Sequence, residues 1–135
     1  MNQPKQDWTE THLIEIIKYQ KQLDVLPHDG MEIARIELLS KMLIFIGKLS
    51  AEFSERYKRV YASRKRAHAE AYIAAAKNKA AEAELAVIDL REVEAEAYGN
   101  MKRWGNAFES TKEEINALKY RVRISIEDGS SRRGS

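Results

Sequence analysis

Apolar residues recur along most of this chain at alternating steps of three and four, the spacing that gathers them on one face of an α-helix. The pattern predicts three helices. The first, over about residues 8–23, carries Leu13, Ile16, Ile17, Gln20 and Leu23 on one face. Asp7 followed by Glu10 fits a capping box, and Trp8 would staple the helix start. Pro27 and Gly30 then turn the chain. The second helix, 31–76, has the seam Leu39, Leu43, Ile46, Ser50, Phe53, Tyr57, Val60, Arg64, Ala67, Ala71, Ala74. Ile33, Ile36, Leu38, Met42, Ile44, Phe45 and Leu49 widen its first half, and a wide stripe needs two neighbours. The third, 80–122, has the seam Val87, Leu90, Glu94, Ala97, Met101, Trp104, Phe108, Thr111, Ile115, Leu118, Val122, with Trp104 and Phe108 as core.

Two points stay open at this level. Gly105-Asn106 followed by the capping box Ser110-Thr111-Lys112-Glu113 offers a break in the third helix, although the seam keeps its phase across it. Val122, Ile124 and Ile126 alternate like a strand, against a frayed helix end leading into a flexible tail at 129–135.

Between residues 31 and 127 there is no proline, and Ala76-Lys77-Asn78-Lys79-Ala80 is the one polar, weakly periodic spot between the two long seams. A hairpin turn at Lys77–Asn78 sets the basic stretch 56–66 against the acidic stretch 89–99. It also brings Arg64, polar in one seam, near Glu94, polar in the other; such a pair fixes register more than it stabilises. The expected fold is all-α in a single domain over 1–128. A short N-terminal helix joins a long antiparallel hairpin, making a three-helix bundle at one end and a coiled-coil arm at the other. Such an arm buries little of itself, so Tyr57, Tyr61, Tyr72 and Tyr98 are the expected interface of a homo-oligomer.

Composition removes whole classes of function. With no cysteine, the chain has no disulfide framework, Cys-based zinc site or thiol chemistry. Its 23 Lys+Arg against 21 Asp+Glu is not the charge balance of a dedicated duplex-DNA binder. No apolar run is long enough to span a bilayer, and the polar N-terminus predicts no secretory leader, so the expected location is cytoplasmic. His12, His28 and His68 lie far apart, with no Glu three residues before any of them, and no glycine-rich phosphate loop occurs. The expectation is therefore a non-enzyme with no catalytic residue, no metal and no cofactor.

The run Arg56-Tyr57-Lys58-Arg59-Val60-Tyr61-Ala62-Ser63-Arg64-Lys65-Arg66 mixes cations with aromatics, as a single-strand nucleic-acid surface does. Helical pairing of Glu52 with Arg56, Glu55 with Arg59 and Glu70 with Arg66 neutralises part of it. Lys58, Arg64 and Lys65 remain as candidate contacts to nucleic acid or a protein partner. Arg121 and Arg123, with Arg132 and Arg133 in the tail, form a second basic group.

Two stretches carry a family resemblance. Residues 65–72, Lys65-Arg66-Ala67-His68-Ala69-Glu70-Ala71-Tyr72, resemble an R-A-x-A-E-A-Y segment. Residues 104–119, from Trp104 to Lys119, resemble a W-x-x-A-x-x-S-T-x-x-x-I-N-x-L-K segment. Both belong to small helical proteins encoded in the early regions of tailed phages, and the likeness covers about 55–122. It implies a replication or recombination accessory role. The leading expectation is a non-enzymatic protein in the cytoplasm of a bacterial host that binds a protein partner of replication or recombination, with the basic run above as a candidate contact to single-stranded nucleic acid. Two other readings fit the same features: a counter-defence or host-takeover protein that blocks a bacterial enzyme, and a structural coiled-coil spacer.

Overall fold

The computed structural model describes the backbone of residues 6–133 and the side chains of residues 8–129. It contains α1 (Gln6–Asp24), α2 (Glu32–Ala74), α3 (Lys79–Ala86) and α4 (Ile88–Arg133), with no strand among the described residues. The protein is thus all-α, and α2 returns as an antiparallel hairpin through α3 and α4. No helix among the described residues is long and apolar enough to cross a membrane.

The chain divides into two compact units. The first takes α1, the part of α2 up to Leu49, and α4 from Asn106 onward. Its core is Leu23, Leu39, Met42, Ile46, Leu49, Ile115 and Leu118, so the widened stripe of α2 serves two neighbours through Met42, Phe45 and Leu49, while Ile33 and Ile44 are exposed. The inward face of α1 is rotated from expectation. His12, Ile16, Tyr19 and Leu23 turn inward, while Ile17 and Gln20 are exposed. Phe45 sets this rotation, because it receives the rings of both His12 (5.9 Å) and Tyr19 (6.2 Å, stacked). His12 is buried, and its Nδ1 has no hydrogen-bond partner among the described residues. Trp8 does not staple the helix down: it is 65% exposed, with its ring 6.3 Å from the His12 ring in an edge-on arrangement. Gly47 is where α2 admits the Phe108 ring, since a Cβ there would stand 3.2 Å from Phe108 Cε2.

The second unit, Ser50–Gly105, is the hairpin itself. Phe53, Ala83, Val87 and Ala97 are buried between its arms, and Phe53 stacks on the half-buried Trp104 with ring centroids 6.2 Å apart. Small Ala83 and Ala97 let the two helices approach closely but contribute little area.

The turn lies where the polar stretch placed it. α2 ends at Ala74, α3 begins at Lys79, and Asn78 takes the left-handed conformation at φ 50°. Asn visits this region more readily than other residues with a Cβ. The Lys79 ammonium donates to the carbonyl of Tyr72 (3.3 Å), in the last turn of α2, and to that of Ala75 (2.7 Å), just past its end.

Three boundaries differ from expectation. α1 begins at Gln6, so Asp7 lies within its first turn instead of at the cap, and its side chain is outside those described. The third helix is two helices, interrupted at Val87 (φ −115°, ψ 9°), whose N–H reaches back to Glu84 O at 3.3 Å. Arg91 N–H to Val87 O at 2.9 Å restarts the ladder one residue later. The rival break at Gly105–Ser110 is absent, as the unbroken seam phase implied. Beyond Val122 there is neither strand nor early tail: α4 continues through Arg133, and only residues 134–135 of the expected tail lie outside the described backbone.

Asn78→Ala should lower stability by about 1 kcal/mol, the cost of an ordinary side chain in the left-handed region. Asn78→Gly should be close to neutral. Chemical denaturation followed by circular dichroism checks both.

Candidate interaction surface

Within the hairpin, Tyr57, Tyr61, Lys65, His68 and Tyr72 follow one another along α2 at steps of three and four. That spacing keeps them on one flank of the helix, over about 22 Å from Tyr57 to Tyr72 at 1.5 Å per residue. α4 brings Tyr98, Arg91 and Lys102 to the same side. Tyr98 meets Tyr57 edge to face at 5.4 Å, and Tyr57 lies 6.3 Å from Tyr61.

Every tyrosine on this face other than Tyr57 carries a cation. The Arg64 guanidinium sits 5.3 Å and Lys65 Nζ 5.1 Å from the Tyr61 centroid. Lys102 lies over Tyr98 (5.5 Å) and Lys79 over Tyr72 (5.7 Å). Two shallow hollows open between the helices. One, about 290 Å³, is lined by Tyr57, Arg64, Arg91, Glu94 and Tyr98; the other, about 260 Å³, by Arg64, Lys65, His68 and Arg91. Arg64 and Arg91 border both, so the hollows form one trough.

Arg64 and Glu94 make the pair that the register called for. The guanidinium donates through Nε and Nη2 to the two carboxylate oxygens, the second bond at 3.4 Å, with 15% of each side chain's surface left exposed. The Glu94 carboxylate holds the Arg64 guanidinium above its ordinary range. A raised value in a cation stabilises the fold below that range, so this contribution is constant through neutral pH and fades only in strong alkali. Glu84 anchors a second cluster, accepting from Arg91 Nη2 (3.0 and 3.3 Å) and lying 3.3 Å from His68 Nε2.

The sequence-predicted residues divide clearly. Glu52–Arg56 (3.9 Å), Glu55–Arg59 (2.8 Å) and Arg66–Glu70 (3.0 Å) pair along α2 as expected. Lys58 and Lys65 are exposed with no carboxylate partner among the described residues, whereas Arg64 is committed to Glu94 and is not a free cation. Tyr61, Tyr72 and Tyr98 are exposed, and Tyr57 is half-buried against its two tyrosine neighbours. Arg121 and Arg123 are exposed on α4 within the first unit; the side chains of Arg132 and Arg133 lie outside those described. Sequence reading missed Arg91, His68, Lys79 and Lys102. The register that paired Arg64 with Glu94 already placed Arg91, one turn from Glu94, beside the same trough.

Comparison of this chain with protein-family profiles, with curated proteins and with solved structures finds no significant match.

Arg64→Ala and Glu94→Ala should each lower the melting temperature, and the double variant should lose less than the sum of the two. A double-mutant cycle of thermal melts measures that coupling.

Proposed function

We propose that this protein is a non-enzymatic accessory factor of phage DNA replication or recombination, acting in the bacterial cytoplasm, and that the tyrosine and cation face of its hairpin contacts single-stranded DNA. The observation that carries this reading is the alternation of Tyr57, Tyr61, Tyr72 and Tyr98 with Arg64, Lys65, Lys79, Arg91 and Lys102 on one face. Single-strand binders use this combination: aromatic rings on which bases stack whatever their sequence, and cations that follow the phosphates. Glu94 and Glu84 hold Arg64 and Arg91, which leaves Lys65, Lys79 and Lys102 as the cations on this face with no carboxylate partner among the described residues. The likeness of residues 65–72 and 104–119 to tailed-phage early proteins points the same way.

A different feature fits a protein partner, either a protein of replication or recombination or, in a second reading, a bacterial enzyme that a counter-defence or host-takeover protein blocks. In the first unit, Met31, Ile33, Val122 and Ile126 wall an open groove of about 410 Å³ between the start of α2 and the later turns of α4. An apolar groove of this kind suits a helix of a protein partner.

Fluorescence anisotropy with labelled oligo-dT tests the first reading. The wild type should bind at low salt, with affinity falling steeply as salt rises. Lys65→Glu with Lys102→Glu should abolish binding, and Tyr61→Ala with Tyr72→Ala should cost about 1–3 kcal/mol per tyrosine. Arg64 stays untouched in these variants because its loss would strand Glu94 in the hairpin seam. No wild-type binding at low salt retires the nucleic-acid reading and leaves the protein partner.

A further inference from the structure

The two outer edges of the hairpin, facing away from its own seam, are complementary to each other. On α2, Arg59, Ala62, Arg66, Ala69 and Ile73 recur at steps of three and four, and all are exposed. On the return arm, Leu85, Asp89, Glu92 and Glu96 do the same, with Val93 beside them, and all are exposed. The first stripe is basic between Glu55 and Glu70, which share its flank at either end, and the second is acidic. Each also carries unpartnered apolar surface: Ile73 is 78% exposed and Leu85 63%. Asp89, Glu92 and Glu96 have no cation partner among the described residues. Arg59 and Arg66 hold only exposed pairs to Glu55 and Glu70 on their own helix, a kind that contributes little and re-partners readily.

The heights match as well as the charges. By the register that sets Tyr57 against Tyr98 and Arg64 against Glu94, Ile73 stands level with Leu85, Arg66 with Asp89 and Glu92, Ala62 with Val93, and Arg59 with Glu96. A second copy displaced sideways, without inversion, would lay its α2 edge along the first copy's return-arm edge. That contact is another antiparallel helix pair, in the register the chain already uses internally. Ala62 and Ala69 would allow the close approach that such pairs need.

We propose that the hairpin associates with further copies of this chain edge to edge, the basic α2 stripe of one copy on the acidic α3–α4 stripe of the next. The contact is heterologous, because two different surfaces meet, so it builds rows or rings and does not stop at a two-fold dimer. It leaves the tyrosine and cation faces of successive copies pointing the same way, yet it does not depend on the nucleic-acid reading.

Sedimentation velocity of the full chain, without nucleic acid, tests the proposal over a range from about 5 to about 300 µM, where weak self-association is detectable. The wild type should grow beyond twice its 15.5 kDa monomer mass as concentration rises. Arg59→Glu with Arg66→Glu should weaken association by about tenfold or more, as should Asp89→Lys with Glu92→Lys, both variants keeping wild-type helicity. Mixing the two variants should restore assembly, since each then meets an opposite charge. A wild type that stays monomeric, a plateau at twice the monomer mass, association unmoved by either pair of substitutions, or a mixture that fails to assemble would each overturn it.

Discussion

A hairpin of long helices lined with alanine can slide: shift one arm by a turn and much of the apolar contact survives. In this protein Arg64 and Glu94 remove that freedom. Each is the one charged position in its seam, and each is largely enclosed. A slip of one turn would leave an enclosed guanidinium and an enclosed carboxylate unpaired, which costs far more than the paired state gains over an apolar alternative. The pair is thus less a source of stability than a penalty on every wrong alignment. What lies on either side follows from it: Tyr57 meets Tyr98, Phe53 meets Trp104, and Arg91 arrives beside Arg64 at the trough.

This logic explains why the hairpin was legible in the sequence and the details of α1 were not. The turn, the two seams, the Arg64–Glu94 pair and the three charge pairs along α2 all follow from spacing, which a sequence states directly. The face of α1 does not. A period of 3.6 accommodates either Ile17 and Gln20 or His12 and Tyr19 inward, and the decision rests on where Phe45 projects from another helix. That choice also buries His12 with an unpartnered Nδ1, a cost no local pattern announces.

The helix boundaries show the same division. Ser110-Thr111-Lys112-Glu113 has the composition of a helix start yet lies mid-helix, because the seam through Phe108, Ile115 and Leu118 holds the chain in phase across it. Val87 has no glycine or proline to mark it, and the α3–α4 interruption sits there with Val87 fully buried. Residues 122–126 alternate as a strand would. With no second strand among the described residues to satisfy its backbone, helix closes those hydrogen bonds locally instead.

A formal charge of +2 conceals how the charge is arranged. Helical spacing sorts Lys65, Arg91 and Lys102 onto the face that holds the tyrosines, and Asp89, Glu92 and Glu96 onto the outer edge of the return arm. Arg59 and Arg66 fall on the opposite outer edge. A composition that reads as balanced therefore yields two surfaces that carry cations and one that carries carboxylates on one hairpin. Because the seam register fixes how these surfaces line up, the Arg64–Glu94 pair governs the surfaces offered to partners as much as the packing within.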